Sequence, residues 1–84
     1  MVIIYTIPQC SYCNELKEIL TKEGVAFTDV NVDLPENEAI YTKINELTKS
    51  DQVPIIRVKQ QLLVPNVSFQ SIQEAAELTK KFLG

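Results

Sequence analysis

The 84-residue sequence has no histidine, and Cys10 and Cys13 are its only cysteines. Without an imidazole, the commonest general base near neutral pH is missing. Any thiol chemistry must therefore draw its activation from backbone N–H groups, a helix dipole or a cation such as Lys17. The same shortage excludes a zinc site within one chain. A tetrahedral site needs four ligands, and no further cysteine or histidine is present to complete it.

Long apolar runs are absent as well. No stretch approaches the roughly 20 apolar residues that span a bilayer, so no membrane partner is expected. Residues 1–7 are apolar but lack a basic leader and a small-residue cleavage site, and Pro8 ends the run. The expected location is cytoplasmic, where thiols stay reduced and a cysteine pair is more often catalytic than structural. A basic excess is missing too: 8 Lys and Arg stand against 11 Asp and Glu, for a net charge of −3. Nucleic acid is usually met by clustered Lys and Arg, and is not an expected partner. The adjacent pair Lys80-Lys81 reads as a helix end. With 45% hydrophobic and 23% charged residues the composition is that of a globular protein. Its length suits one domain, residues 1–84, with no internal repeat or linker.

What the chain does have is a regular alternation of apolar patterns. Val2 to Ile7, rich in Val, Ile, Tyr and Thr, predicts a buried strand. Ser11 to about Glu23 predicts a helix, with Leu16, Ile19 and Leu20 on one face and Gly24 as its stop. Val25 to Asp33 reads as a second strand through Val25, Phe27, Val30 and Val32. Pro35 opens a second helix whose apolar stripe is Ile40, Ile44 and Leu47. Glu36 and Glu38 suit its positive end and read as cap charges, not catalytic carboxylates.

Val53 to Val58 predicts a third strand and Leu62-Leu63-Val64 a fourth, joined by a turn near Lys59-Gln60-Gln61. Ser68 is expected to cap a last helix through Leu83, with Ile72, Ala75, Ala76, Leu78 or Thr79, and Phe82 facing inward. The order β-α-β-α-β-β-α predicts an α/β fold with a parallel βαβ half and a closing hairpin.

Cys10-Ser11-Tyr12-Cys13 falls between the first strand and the first helix. The first thiol thus sits at a helix start, which can stabilise a thiolate. It also lies beyond the carboxyl end of a strand, where open α/β sheets place their chemistry. Two thiols so spaced can pass two electrons by opening and closing a disulfide. The competing reading is a pair of inert core thiols.

The segment Tyr5-Thr6-Ile7-Pro8-Gln9-Cys10-Ser11-Tyr12-Cys13 resembles the Tyr-Thr-Lys-Pro-x-Cys-Pro-Tyr-Cys of glutaredoxins, and Gln52-Val53-Pro54 is similar to their Thr-Val-Pro. The element order extends the resemblance over essentially the whole chain. It implies the thioredoxin-like (glutaredoxin) fold, a four-stranded mixed sheet flanked by three helices. It also implies a monomeric dithiol oxidoreductase of the Cys-Ser-Tyr-Cys type, active in electron transport and cell redox homeostasis. In that reading Cys10 attacks a substrate disulfide, Cys13 resolves the product, and the two close a redox-active disulfide. Pro54 is cis and faces the pair, and the Val53 backbone pairs with an extended substrate thiol. Glutathione, as co-substrate, contacts Tyr12, Gln52, Val53, Pro54, Ser68 and Phe69. The implied partners are disulfide-containing proteins such as ribonucleotide reductase.

Three departures from the family pattern fall on the glutathione contacts. Ile7 stands where the family has a lysine that helps hold a glutathione carboxylate. Ser50 and Asp51 stand where basic residues are frequent, with Lys49 beside them as a substitute. Pro65-Asn66-Val67-Ser68 replaces a Gly-Gly turn whose N–H groups approach the γ-glutamyl carboxylate. At a helix start, Val67, Ser68 and Phe69 are expected to supply such N–H groups instead. These departures suit a redoxin recharged by thioredoxin reductase. Resemblance to Cys-Ser-Tyr-Cys glutaredoxins also implies an alternative in which Cys10 and glutathione hold a [2Fe–2S] cluster between two subunits. A pure interaction domain with incidental thiols is the remaining alternative.

Overall fold

A computed structural model describes residues 2–84. Its chain order is β1 (Val2–Thr6), α1 (Ser11–Lys22), β2 (Thr28–Asn31), α2 (Glu38–Thr48), β3 (Ile55–Val58), β4 (Gln61–Leu63) and α3 (Ile72–Leu83). The strands lie in the order β2-β1-β3-β4. β1 is parallel to β2 and antiparallel to β3, and β4 closes the edge against β3. This is the four-stranded mixed sheet with three helices that the sequence order predicts.

The period of two along a strand decides which side chain meets which helix. Val2 and Ile4 of β1, with Ile56 and Val58 of β3, pack against Leu16 and Leu20 of α1 and Ala75 and Ala76 of α3. Tyr5 and Ile55 join Val32, just after β2, and Ile44 of α2 in a second cluster, with Ile3 packed against it. β1 is thus covered on both faces, which explains why it reads as a nearly unbroken apolar run.

The helix ends follow local chemistry. Gly24 takes φ +73°, so its N–H reaches the Thr21 carbonyl (3.1 Å) and the Val25 N–H reaches Leu20 (2.9 Å). That pair of bonds is a Schellman stop, for which glycine is the preferred residue. Lys80 of α3 and Glu23 then form an ion pair linking α3 to the end of α1.

Several expectations need correction. β2 is shorter than residues 25–33, since Val25 and Phe27 pack against the core without joining the ladder. β3 begins at Ile55 instead of Val53, and Pro54 has no N–H to donate to a ladder. β4 is Gln61–Leu63, so the turn is Lys59-Gln60. Pro35 opens a 3-10 turn, Pro35–Asn37, and α2 proper starts at Glu38.

The stripe of α2 is also rotated. Ile44 is buried, but Ile40 is 45% and Leu47 65% exposed, while Tyr41 and the half-buried Thr48 lie on the inner side. On α3, Ile72, Ala75, Ala76 and Thr79 are buried as expected, whereas Phe82 is exposed. Its cap is Ser71, whose Oγ accepts the Glu74 N–H at 3.1 Å. Ser68 does not cap α3.

Candidate active site

Cys10 is the N-cap residue of α1, in an extended conformation four residues beyond the end of β1. Its side chain does what a capping serine would do: Sγ accepts the Cys13 N–H at 3.1 Å. Both cysteines are free thiols. Cys10 keeps 9% of its surface, whereas Cys13 keeps none. An incoming disulfide can therefore reach Cys10 first, with Cys13 one helical turn behind it. Burial is the main reason that the Cys13 thiol is pushed up to about 12; the hydrogen bond to Cys10 and the Cys10 charge add to it. The Ile7 backbone and the Lys17 charge pull the other way.

Lys17, the candidate cation, is committed elsewhere. Its ammonium lies 2.8 Å from Asp29 Oδ2 on β2, and Asp29 Oδ1 accepts the hydroxyl of the buried Thr6 at 2.5 Å. Burial works to raise the Asp29 carboxyl, but Lys17 and Thr6 outweigh it and hold the group below its usual range. The trio ties α1, β1 and β2 together directly behind the cysteine turn. Nothing in the spacing of these three residues signals the contact, which appears only once β1 and β2 pair.

Tyr12, Gln52, Val53, Pro54 and Phe69 line one cleft of about 530 Å³, together with Asp51 and Asn66. Tyr12 stands at its rim, 64% exposed. The Val53–Pro54 bond is cis, and Pro54 is fully buried. Asn66 Nδ2 donates to Gln52 Oε1 at 2.9 Å and staples the two loops that form the walls. Asp51 is the single charged residue among those lining the cleft, and no lysine or arginine lines it.

Ser68 is not part of this lining. Its N–H donates to the Val64 carbonyl (2.8 Å), and its Oγ accepts the Val64 N–H (3.0 Å). The Val67 N–H is also spent on Val64, at 3.1 Å. The N–H groups of Val67 and Ser68 are therefore turned inward, which corrects the expectation that they serve a carboxylate from a helix start. In place of a Gly-Gly turn, Asn66 adopts φ +63°, a region that asparagine tolerates better than most residues. The true cap carries a readable signal, Ser71-Ile72-Gln73-Glu74, with the glutamate in the third place after the serine. Glu74 Oε1 in turn accepts the Gln70 N–H at 2.6 Å.

Comparison with known proteins agrees with this geometry. The profile of the glutaredoxin family matches residues 2–63. An uncharacterized glutaredoxin-like 8.6 kDa protein in the rubredoxin operon of Clostridium pasteurianum is 35% identical over 66 residues, 76% of this chain and 83% of that protein. The gene 56 protein of Mycobacterium phage D29 is 36% identical over 55 residues, and the aligned part spans 66% of this chain but 59% of the phage protein. Among solved structures, a buckwheat glutaredoxin–glutathione complex superposes with a TM-score of 0.73 at 14% identity, over 98% of this chain and 70% of the buckwheat chain. At that identity the likeness is one of fold. Among the described residues, no helix is long and apolar enough to cross a membrane.

Proposed function

The chain belongs to the glutaredoxin family, and on that premise we propose that it is a thiol–disulfide oxidoreductase working through both Cys10 and Cys13. The thiolate of Cys10 attacks one sulfur of a substrate disulfide. A Cys10–substrate disulfide forms, and the other substrate sulfur leaves as a thiolate that takes a proton. The Cys13 thiolate then attacks Cys10 Sγ, which closes the Cys10–Cys13 disulfide and releases the second substrate thiol. Two electrons pass from the chain to the substrate.

The observation that carries this reading is the bond from Cys13 N–H to Cys10 Sγ, with Cys10 reachable and Cys13 sealed behind it. That N–H faces the sulfur that bears negative charge as nucleophile and as leaving group, at the N-terminus of α1. The order of steps follows from the same contacts. Once Cys10 is in a mixed disulfide it carries no negative charge, so two of the causes that hold Cys13 protonated disappear. Ionisation of Cys13 is therefore easier after the first step than before it, with burial as the part that remains. The substitution Cys10→Ser should abolish disulfide reduction, and Cys13→Ser should accumulate the mixed disulfide. An active Cys10→Ser protein overturns the assignment.

A second reading concerns the electron supply. Glutathione brings two carboxylates, yet the cleft offers Asp51 and no cation, and the N–H groups of Val67 and Ser68 point inward. This favours recharging by a protein reductase of the thioredoxin reductase type over recharging by glutathione. It also weighs against the [2Fe–2S] alternative, in which glutathione would be a ligand beside Cys10. Reduction of a model disulfide, coupled first to glutathione with glutathione reductase and then to thioredoxin reductase, separates the two supplies. Faster turnover with glutathione would reverse this second reading and restore the glutathione contacts of Tyr12, Gln52, Val53, Pro54 and Phe69.

A further inference from the structure

We propose that the cleft beside the cysteine turn selects protein disulfides whose cysteine is flanked by a basic residue, read by Asp51 and Tyr12. The proposal rests on the dithiol reading above and names the substrate class of that site.

Electrostatics carries the argument. Asp51 is the one charged residue lining the cleft, and it is exposed. Its backbone is fixed: the Tyr41 hydroxyl donates to the Asp51 carbonyl at 2.7 Å, and the Gln52 N–H donates to Ser50 Oγ at 3.2 Å. Lys49 is the nearest cation in sequence, but it neither lines the cleft nor pairs with Asp51 among the described ion pairs. The surroundings are negative as well. Burial first, then the charges of Asp51 and Asp33, raise the Tyr41 hydroxyl above its ordinary value.

The exposed Tyr12 lines the same cleft. A guanidinium or ammonium entering there meets a carboxylate and an aromatic face, two groups that attract cations by different means. The buried rings of Pro54 and Phe69 line the same cleft and suit apolar parts of the segment that carries the cysteine. Glutathione, with a net negative charge, is disfavoured by the same field. A basic peptide is favoured by it.

Single-turnover reduction by the pre-reduced full chain tests this without any external donor. The probes are mixed disulfides of thionitrobenzoate with cysteine peptides that are identical except for Arg, Gln or Glu beside the cysteine, and with glutathione. Each rate constant is normalised to that of dithiothreitol, which removes intrinsic differences in reactivity. The expected order is Arg, then Gln, then Glu and glutathione, spanning about fivefold at low ionic strength, as one exposed ion pair supplies, and shrinking at high salt. Asp51→Lys should invert the order, and Asp51→Asn should flatten it. Equal normalised rates in the unmodified chain, an Arg preference that survives Asp51→Lys, or glutathione ahead of the Arg peptide would each overturn the proposal. If the chain reduces none of the probes, the dithiol reading fails and takes the preference with it.

Discussion

The backbone N–H of Cys13 donates to the sulfur of Cys10 at 3.1 Å, so the first cysteine caps the helix that contains the second. One bond thereby joins the two halves of the redox pair and orients the sulfur of the more accessible one. Alkylation should show the asymmetry. Brief treatment of the reduced protein with iodoacetamide at neutral pH should label Cys10, while Cys13 reacts only after unfolding. Peptide mapping by mass spectrometry reads the result.

Alkaline pH should weaken the reduced fold. The Cys13 thiol is raised to about 12 in the native state, against roughly 8.5 in an unfolded chain. Between those values the unfolded state has lost the proton that the folded state keeps. The stabilisation is therefore complete below the unfolded value and is lost as pH rises through the folded one, with a slope of up to about 1.4 kcal/mol per pH unit. Urea melts under reducing conditions should show the decline. In Cys13→Ala it should largely vanish.

Acid should act on Asp29 in the opposite sense. Its carboxyl is held below the usual range by Lys17 and Thr6, so its contribution is present above the unfolded value and lost as pH falls through the folded one. Asp29→Asn should flatten the acid side of the stability profile. Asp29→Ala also strands the buried Thr6 hydroxyl, a cost of about 1–3 kcal/mol.

Two substitutions on α2 should differ sharply. Ile44 is buried, and Ile44→Ala should cost about 2–4 kcal/mol in chemical denaturation. Leu47, three residues further along α2 and largely exposed, should tolerate Leu47→Gln within about 0.5 kcal/mol. On α3, Ser71→Ala removes the cap and should cost about 1 kcal/mol.

These contrasts also show where sequence patterns lead and where they stop. The order of elements was legible because Pro8, Gly24, Pro35 and the turn before Gln61 punctuate runs of distinct period. The position of Cys10 between β1 and α1 followed from the same reading. The inner face of α2 did not, because apolar spacing makes Ile40, Ile44 and Leu47 one stripe, whereas the sheet meets a face centred on Tyr41, Ile44 and Thr48. At 100° per residue this is a rotation of roughly 65°, set by what Tyr5 and Ile55 present to the helix. The cis Val53–Pro54 bond came only through resemblance, since local sequence favours trans. Ser68 has the residue type of a cap, but its N–H and Oγ both bond to the Val64 backbone, through a loop that the sequence alone does not draw. The link between Lys17, Asp29 and Thr6 needs three elements in place, and was invisible for that reason.

Trapping experiments separate the roles of Cys10 and Cys13. Reduced Cys13→Ser and Cys10→Ser proteins are each mixed with a disulfide substrate, and intact masses are recorded. A stable substrate adduct on Cys10 is expected in Cys13→Ser, and no adduct in Cys10→Ser. An adduct on Cys13 in Cys10→Ser, with turnover retained, would contradict these roles.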